Sequence, residues 1–206
     1  AYRSFLNPAP TKKDADDALI AIARGFRANL LFEEALGAYR ELMADYPNGD
    51  VTSEAYVEAA GCLENLGRWA EASRYYELYI KKFPHYRHVA TCKERLALLG
   101  QIQQYAEFIA DNPRNPKVAE AQYQIGVILY KRLKNYTKAA VEFAKVARRH
   151  PGHVRAPEGL FSAGVAQLRA ENFPAARALF AELVRRYPAS RLADDGQFWI
   201  GHTYEY

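Results

Sequence analysis

Apolar residues recur along this chain every three to four positions, the spacing that gives an α-helix one greasy face, and proline interrupts the pattern at near-regular intervals. The prolines that close such runs are Pro10, Pro47, Pro84, Pro113, Pro151 and Pro188, spaced 37, 37, 29, 38 and 37 residues apart. Eight residues before them stand Tyr2, Tyr39, Tyr76, Tyr105, Phe143 and Phe180, and five before stand Phe5, Leu42, Tyr79, Phe108, Val146 and Leu183. Twelve before all but the first stand Ala35, Ala72, Gln101, Ala139 and Ala176, and thirteen after all six stand Ala23, Ala60, Ala97, Gly126, Gly164 and Gly201. Large slots and small slots therefore repeat in register, with Gln101 the exception.

Small residues let two helices approach closely, and an aromatic ring one turn away fills the space beside them. Each unit is therefore expected to be an antiparallel helical hairpin. Offsets of three and four, as in Trp69, Ala72, Tyr76 and Tyr79, place the recurring residues on one face of its second helix. Proline ends that helix, because it lacks a donor and pushes the preceding residue out of α space. The pattern divides the chain into units at 11–47, 48–84, 85–113, 114–151 and 152–188. Residues 1–10 read as the tail of an earlier second helix and 189–206 as a further first helix, which predicts an excerpt of a longer repeat protein.

The third unit is short. Four residues separate Ala97 from Gln101, where twelve separate Ala23 from Ala35, Ala60 from Ala72 and Gly164 from Ala176; Gly126 and Ala139 are thirteen apart. About two helical turns are missing, which predicts a truncated hairpin from roughly Arg87 to Asp111 or a deletion absorbed by a loop.

Composition adds limits. Half of the residues are apolar and 13% aromatic, enough for a continuous core, and no apolar run reaches the ~18 residues needed to span a bilayer. Cys62 and Cys92 stand about seven residues apart in repeat register, too far for a disulfide, and read as small buried thiols. The net charge of +4 is mild, but Lys81-Lys82, Arg148-Arg149 and Arg185-Arg186 all sit just before a repeat proline. They read as cations favouring a helix C-terminus or as a basic edge for acidic protein or lipid headgroups. No basic helix or binding module points to specific nucleic-acid recognition.

His85 with His88 and His150 with His153 flank junctions, without the further ligands a metal site needs, and read as loop histidines. Asp14, Asp16 and Asp17, like Asp194 and Asp195, read as charges at helix N-termini. With no phosphate loop, nucleophile elbow or spaced Cys-His pair, no catalytic residues, cofactor or metal are expected.

LGRWAEASRYYELYIKKFP, KNYTKAAVEFAKVARRHP and ENFPAARALFAELVRRYP resemble the second half of a tetratricopeptide repeat, and AEAQYQIGVILYKRLKNY resembles its opening helix with the Ile125-Gly126 pair. The resemblance implies an all-α, right-handed α-α superhelix, a solenoid of antiparallel hairpins whose first helices line the concave side and contact ligands. Within the family, RYPASRLADDGQFWIGHTYEY is similar to the Tyr-Pro-x-Ser junctions of bacterial envelope members: the periplasmic partner of the Tol-Pal system and the lipoprotein of the outer-membrane assembly machinery. That likeness implies a periplasmic setting, with membrane contact only through a partner or an anchor outside this sequence.

On the first helices, ten and fourteen residues after each proline, the C-terminal half carries Tyr123, Val127, Phe161, Val165 and Phe198, joined by Tyr130 and Leu168. These seven residues predict an apolar groove for a partner peptide, or else a stripe packed into the core. In the N-terminal half the matching face carries Arg24, Arg27, Glu54 and Glu64, suited to a charged partner. The expected function is a non-enzymatic protein-interaction scaffold. The alternatives are the non-catalytic superhelical part of a cell-wall-acting enzyme and a self-association module.

Overall fold

A computed structural model describes residues 12–204, which the chain divides into two compact units meeting at Leu99 and Gly100. In the first unit α1 (Lys12–Ala28) pairs with α2 (Phe32–Asp45), and α3 (Thr52–Leu66) with α4 (Trp69–Lys82); α2 packs on α3. The unit boundary falls within α5 (Val89–Asp111). In the second unit α6 (Val118–Val127) continues into a π-helical turn, Ile128–Arg132, and pairs with α7 (Tyr136–Arg149). There α8 (Ala156–Arg169) packs between α7 and α9 (Phe173–Arg186), and α10 (Leu192–His202) packs on α9. Among the described residues there is no strand. The helix tail expected at 1–10 lies outside the described residues.

The repeating slots form the core. Ala23, Ala35, Ala60, Ala72, Ala139 and Ala176 have no exposed surface, and Tyr39, Tyr79, Phe180, Leu42 and Leu183 are equally enclosed beside them. Glycine at two small slots is a packing requirement. A Cβ on Gly126 would lie 2.5 Å from the Phe143 ring, and one on Gly164 would lie 2.5 Å from the Phe180 ring.

The proline junctions share one turn. The carbonyl of the residue before proline accepts from the amide two residues after it, as in Asn115 N to Asn112 O (2.9 Å), His153 N to His150 O (3.0 Å) and Ser190 N to Tyr187 O (2.9 Å). Proline at the second turn position presets φ for this geometry. The residue two after proline then braces the entry to the next first helix: Asn115 Oδ1, His153 Nδ1 and Ser190 Oγ accept from the amides of Lys117, Arg155 and Leu192. His153 is thus a loop histidine that holds the turn before α8. At the other end, the first helices stop at a residue with left-handed φ: Leu30 (60°), Gly67 (79°), Lys134 (57°) and Glu171 (57°).

Two expectations fail. The truncated hairpin from Arg87 to Asp111 does not form, since α5 runs through it as one helix, with Ala97 and Gln101 exposed. In the complete hairpins the left-handed turn residue follows the small slot by seven or eight positions. The eight residues missing before Gln101 include that turn, and the helix-forming run Leu96 to Gln104 continues without a break. Asp16, expected at a helix N-terminus, lies in the second turn of α1 and is buried against Gly49 in the α2–α3 junction, with its Oδ1 unpartnered. Both thiols are free and buried, as the repeat register implied.

Candidate partner-binding cleft

The second unit holds a cleft of about 500 Å³ between α6, the π turn and α8. Tyr123, Val127, Tyr130, Phe161 and Val165, five residues of the expected apolar stripe, line it together, floored by the buried ring of Phe143. All five are half-buried, neither closed into the core nor fully open to solvent. Phe143 holds the floor through ring contacts with Tyr123 (5.0 Å between centroids) and Tyr130 (6.5 Å), and Phe161 leans on Phe180 at 5.7 Å.

One wall is polar and already paired. The Tyr123 hydroxyl donates to Glu158 Oε1 at 3.0 Å and stands 3.2 Å from Ser162 Oγ. Arg155 bridges Glu158 (2.5 Å) to Glu120 (2.8 Å) and lies over the Tyr123 ring at 5.0 Å. Burial first, and Glu158 beside it, push the Tyr123 hydroxyl above its ordinary pKa, so it acts as a neutral donor. Lys131 also lines the cleft, exposed and without a hydrogen bond or ion pair to another described residue.

Leu168 lines a second hollow of about 420 Å³ with Val165, Phe173, Trp199 and His202. Phe198 lines neither hollow. It is 67% exposed on α10, stacked on His202 at 6.2 Å and edge-on to Trp199 at 5.6 Å.

The matching face of the first unit is self-neutralised. Arg24 meets Glu54 (2.5 Å) and Glu58 (2.7 Å), Arg27 lies 3.5 Å from Glu58, and Arg87 also pairs with Glu54. The Tyr39 hydroxyl donates to Glu58 at 2.5 Å. Burial alone would raise the Glu58 pKa, but Arg24, Tyr39 and Arg27 outweigh it and hold the carboxyl below its ordinary value. Glu64, expected on an open face, is 6% exposed; it accepts from the Tyr76 hydroxyl (2.9 Å) and pairs with Arg95 (3.1 Å). Its partners from α4 and α5 close over it. Burial raises its pKa against the opposing pull of Arg95 and Tyr76.

The basic pairs divide in use. Lys82 donates to the Tyr56 hydroxyl at 2.6 Å and lies over that ring. Arg186 pairs with Glu182 (2.6 Å) and donates to the Ala147 carbonyl (2.9 Å), an acceptor left open at the end of α7, while Arg148 lies 3.7 Å from Glu182. Lys81, Arg149 and Arg185 project into solvent. Among the described residues no three His, Cys, Asp or Glu side chains cluster to hold a metal ion, and no helix is long and apolar enough to cross a membrane.

Sequence reasoning found the aromatic lining but missed Lys131, Phe143, Glu158 and Ser162. The first of these had a signal in the thirteen-residue spacing from Gly126 to Ala139, one more than in the other hairpins.

The family model described as tetratricopeptide repeat matches residues 20–87, 102–154 and 152–191, well over half of the chain. Among solved structures, the chain is similar to a tetratricopeptide repeat protein from Parabacteroides merdae, at 20% identity over 90% of this chain and 73% of that one, with a TM-score of 0.38. It is also similar to YrrB, described as a TPR protein with an unusual peptide-binding site, at 19% identity over 96% and 99% of the two chains (TM-score 0.40). BtubC (BKLC) from P. vanneervenii matches at 19% identity over 91% and 86% (TM-score 0.40). A comparison with curated proteins found no match. With its hairpins, closing prolines and small-against-aromatic packing, the chain belongs to the tetratricopeptide repeat family.

Proposed function

We propose that this chain is a non-catalytic protein-interaction scaffold that binds a segment of a partner protein in the cleft of its second unit. Tetratricopeptide repeat proteins generally mediate protein–protein interactions. The observation that carries the site assignment is the convergence of five half-buried aromatic and aliphatic side chains, from α6, the π turn and α8, around one hollow. A rigid, preformed lining orders little on binding, so a short segment can be held at low entropic cost. The first unit contributes no equivalent seat in this reading, because its face charges are satisfied internally.

The bacterial envelope is the setting we assign to this activity, supported by the Tyr187-Pro188-x-Ser190 junction alone; cell fractionation of the full-length protein tests it. The binding role is tested by a photo-crosslinker at position 161 in the full-length protein in its native cells, with a second at position 178 on α9 as reference. Capture of one foreign protein from 161 and not from 178, abolished by Val127→Glu, is the expected result. Capture of nothing, or only of the protein's own copy, would overturn the reading.

A further inference from the structure

The π turn sits where a single residue has been added to a regular hairpin. In the other three hairpins the left-handed residue follows the closing proline by twenty positions; Lys134 follows Pro113 by twenty-one. The hydrogen bonds record the same shift. The amide after the left-handed residue reaches back five residues in Leu31 to Phe26, Arg68 to Leu63 and Asn172 to Gln167, but six in Asn135 to Leu129. Leu133 N to Ile128 O, at 3.1 Å, is the five-residue bond of the widened turn that absorbs the addition.

This changes what the helix shows to the cleft. Counted from the proline, Tyr130 takes the place of Arg27, Glu64 and Leu168; counted back from the left-handed residue, Lys131 takes it. The π turn presents both, and both line the cleft.

We infer that the one-residue insertion in α6 sets the specificity of this cleft, making it a seat for a segment in which a large apolar side chain stands beside an acidic one. This rests on the cleft being the binding site. The apolar side chain enters between Tyr130, Val127 and Phe161. The acidic one is selected by charge: Glu158 is committed to Arg155 and the Tyr123 hydroxyl, whereas the Lys131 ammonium, which lines the same cleft, is uncommitted. An acid near Lys131 gains up to about fivefold in affinity over a neutral residue, and the gain shrinks as salt rises.

The test is selection of a displayed random-peptide library on the wild-type chain and on Lys131→Glu and Phe161→Ser, with melting temperatures confirming that each is folded. The wild type is expected to enrich peptides pairing a large apolar residue with Asp or Glu. Lys131→Glu is expected to keep the apolar residue and exchange the acid for Lys or Arg, and Phe161→Ser to lose enrichment. Deletion of residue 131, if folded, should keep the apolar preference alone. Enrichment of apolar peptides without an acid, or an acid preference unmoved by Lys131→Glu, overturns the inference and leaves the cleft assignment standing. Failure of the wild type to enrich any peptide dependent on Phe161 overturns both.

Discussion

Gly126→Ala is a change of one methyl group whose sign the structure dictates. The new Cβ would lie 2.5 Å from Phe143 Cδ1, 2.6 Å from Cε1 and 2.9 Å from Cγ, where carbon atoms prefer about 3.5–4.0 Å. The ring must therefore move by about 1 Å. The ring is 3% exposed and packed against Tyr123, and its own backbone carbonyl already abuts Gly159, so a shift disturbs the packing of the cleft floor. Overpacking of this kind costs about 1–3 kcal/mol, and alanine's better helix propensity returns about 1 kcal/mol, so the variant should be destabilised by up to about 2 kcal/mol. Gly61→Ala in α3 is the matched control, because a Cβ there meets nothing within 4 Å. It should gain about 1 kcal/mol from propensity alone. Urea denaturation followed by circular dichroism gives both values, and in melting temperature each kcal/mol amounts to about 2–4 °C for a chain of this size. Gly126→Ala stabilising as much as Gly61→Ala would refute the claim that the small slots are set by close ring contact.

Three other outcomes follow from single features. Glu58→Gln should cost about 1–3 kcal/mol at pH 7 through loss of its charged bonds to Arg24 and Tyr39. Because the wild-type carboxyl titrates below its ordinary value of 4.5, its stabilisation is present above that pH and is lost as pH falls through the folded value, so denaturation curves of the two proteins should converge in acid. Glu171→Gly, at an exposed left-handed position, should raise stability by up to about 1 kcal/mol in a thermal melt, since glycine alone adopts φ 57° without penalty. Cys62 and Cys92, whose thiols burial pushes up to about 11, should react with a thiol reagent at pH 8 only after denaturant is added.

Much of the hairpin core was legible because it depends on spacing alone: Ala72 with Tyr76, or Ala176 with Phe180, needs only helical period and residue size to declare itself. The cleft lining was legible for the same reason, although periodicity could not say whether Tyr123 and Phe161 close into the core or stay half-open. That depends on how closely α8 seats on α7, where Gly159 fits against the Phe143 carbonyl. Glu64 was misplaced because its partners, Tyr76 and Arg95, come from two other helices. The fate of α5 was hidden differently: the deletion was visible in the sequence, but a helix that runs on and a shortened hairpin have the same residues. The π turn announced itself by one extra residue, but an added residue can equally lengthen a loop; here the Leu133 N to Ile128 O bond widens the helix.

The account rests most heavily on the cleft as the place where a partner segment lies. Methyl-resolved NMR of the isotopically labelled chain, titrated with the segment captured from position 161, reads this directly. The predicted result is shifts at the Val127 and Val165 methyls, with Val141 on the outer face of α7 unmoved. Shifts centred on Val141, or binding with the cleft methyls silent, would contradict it.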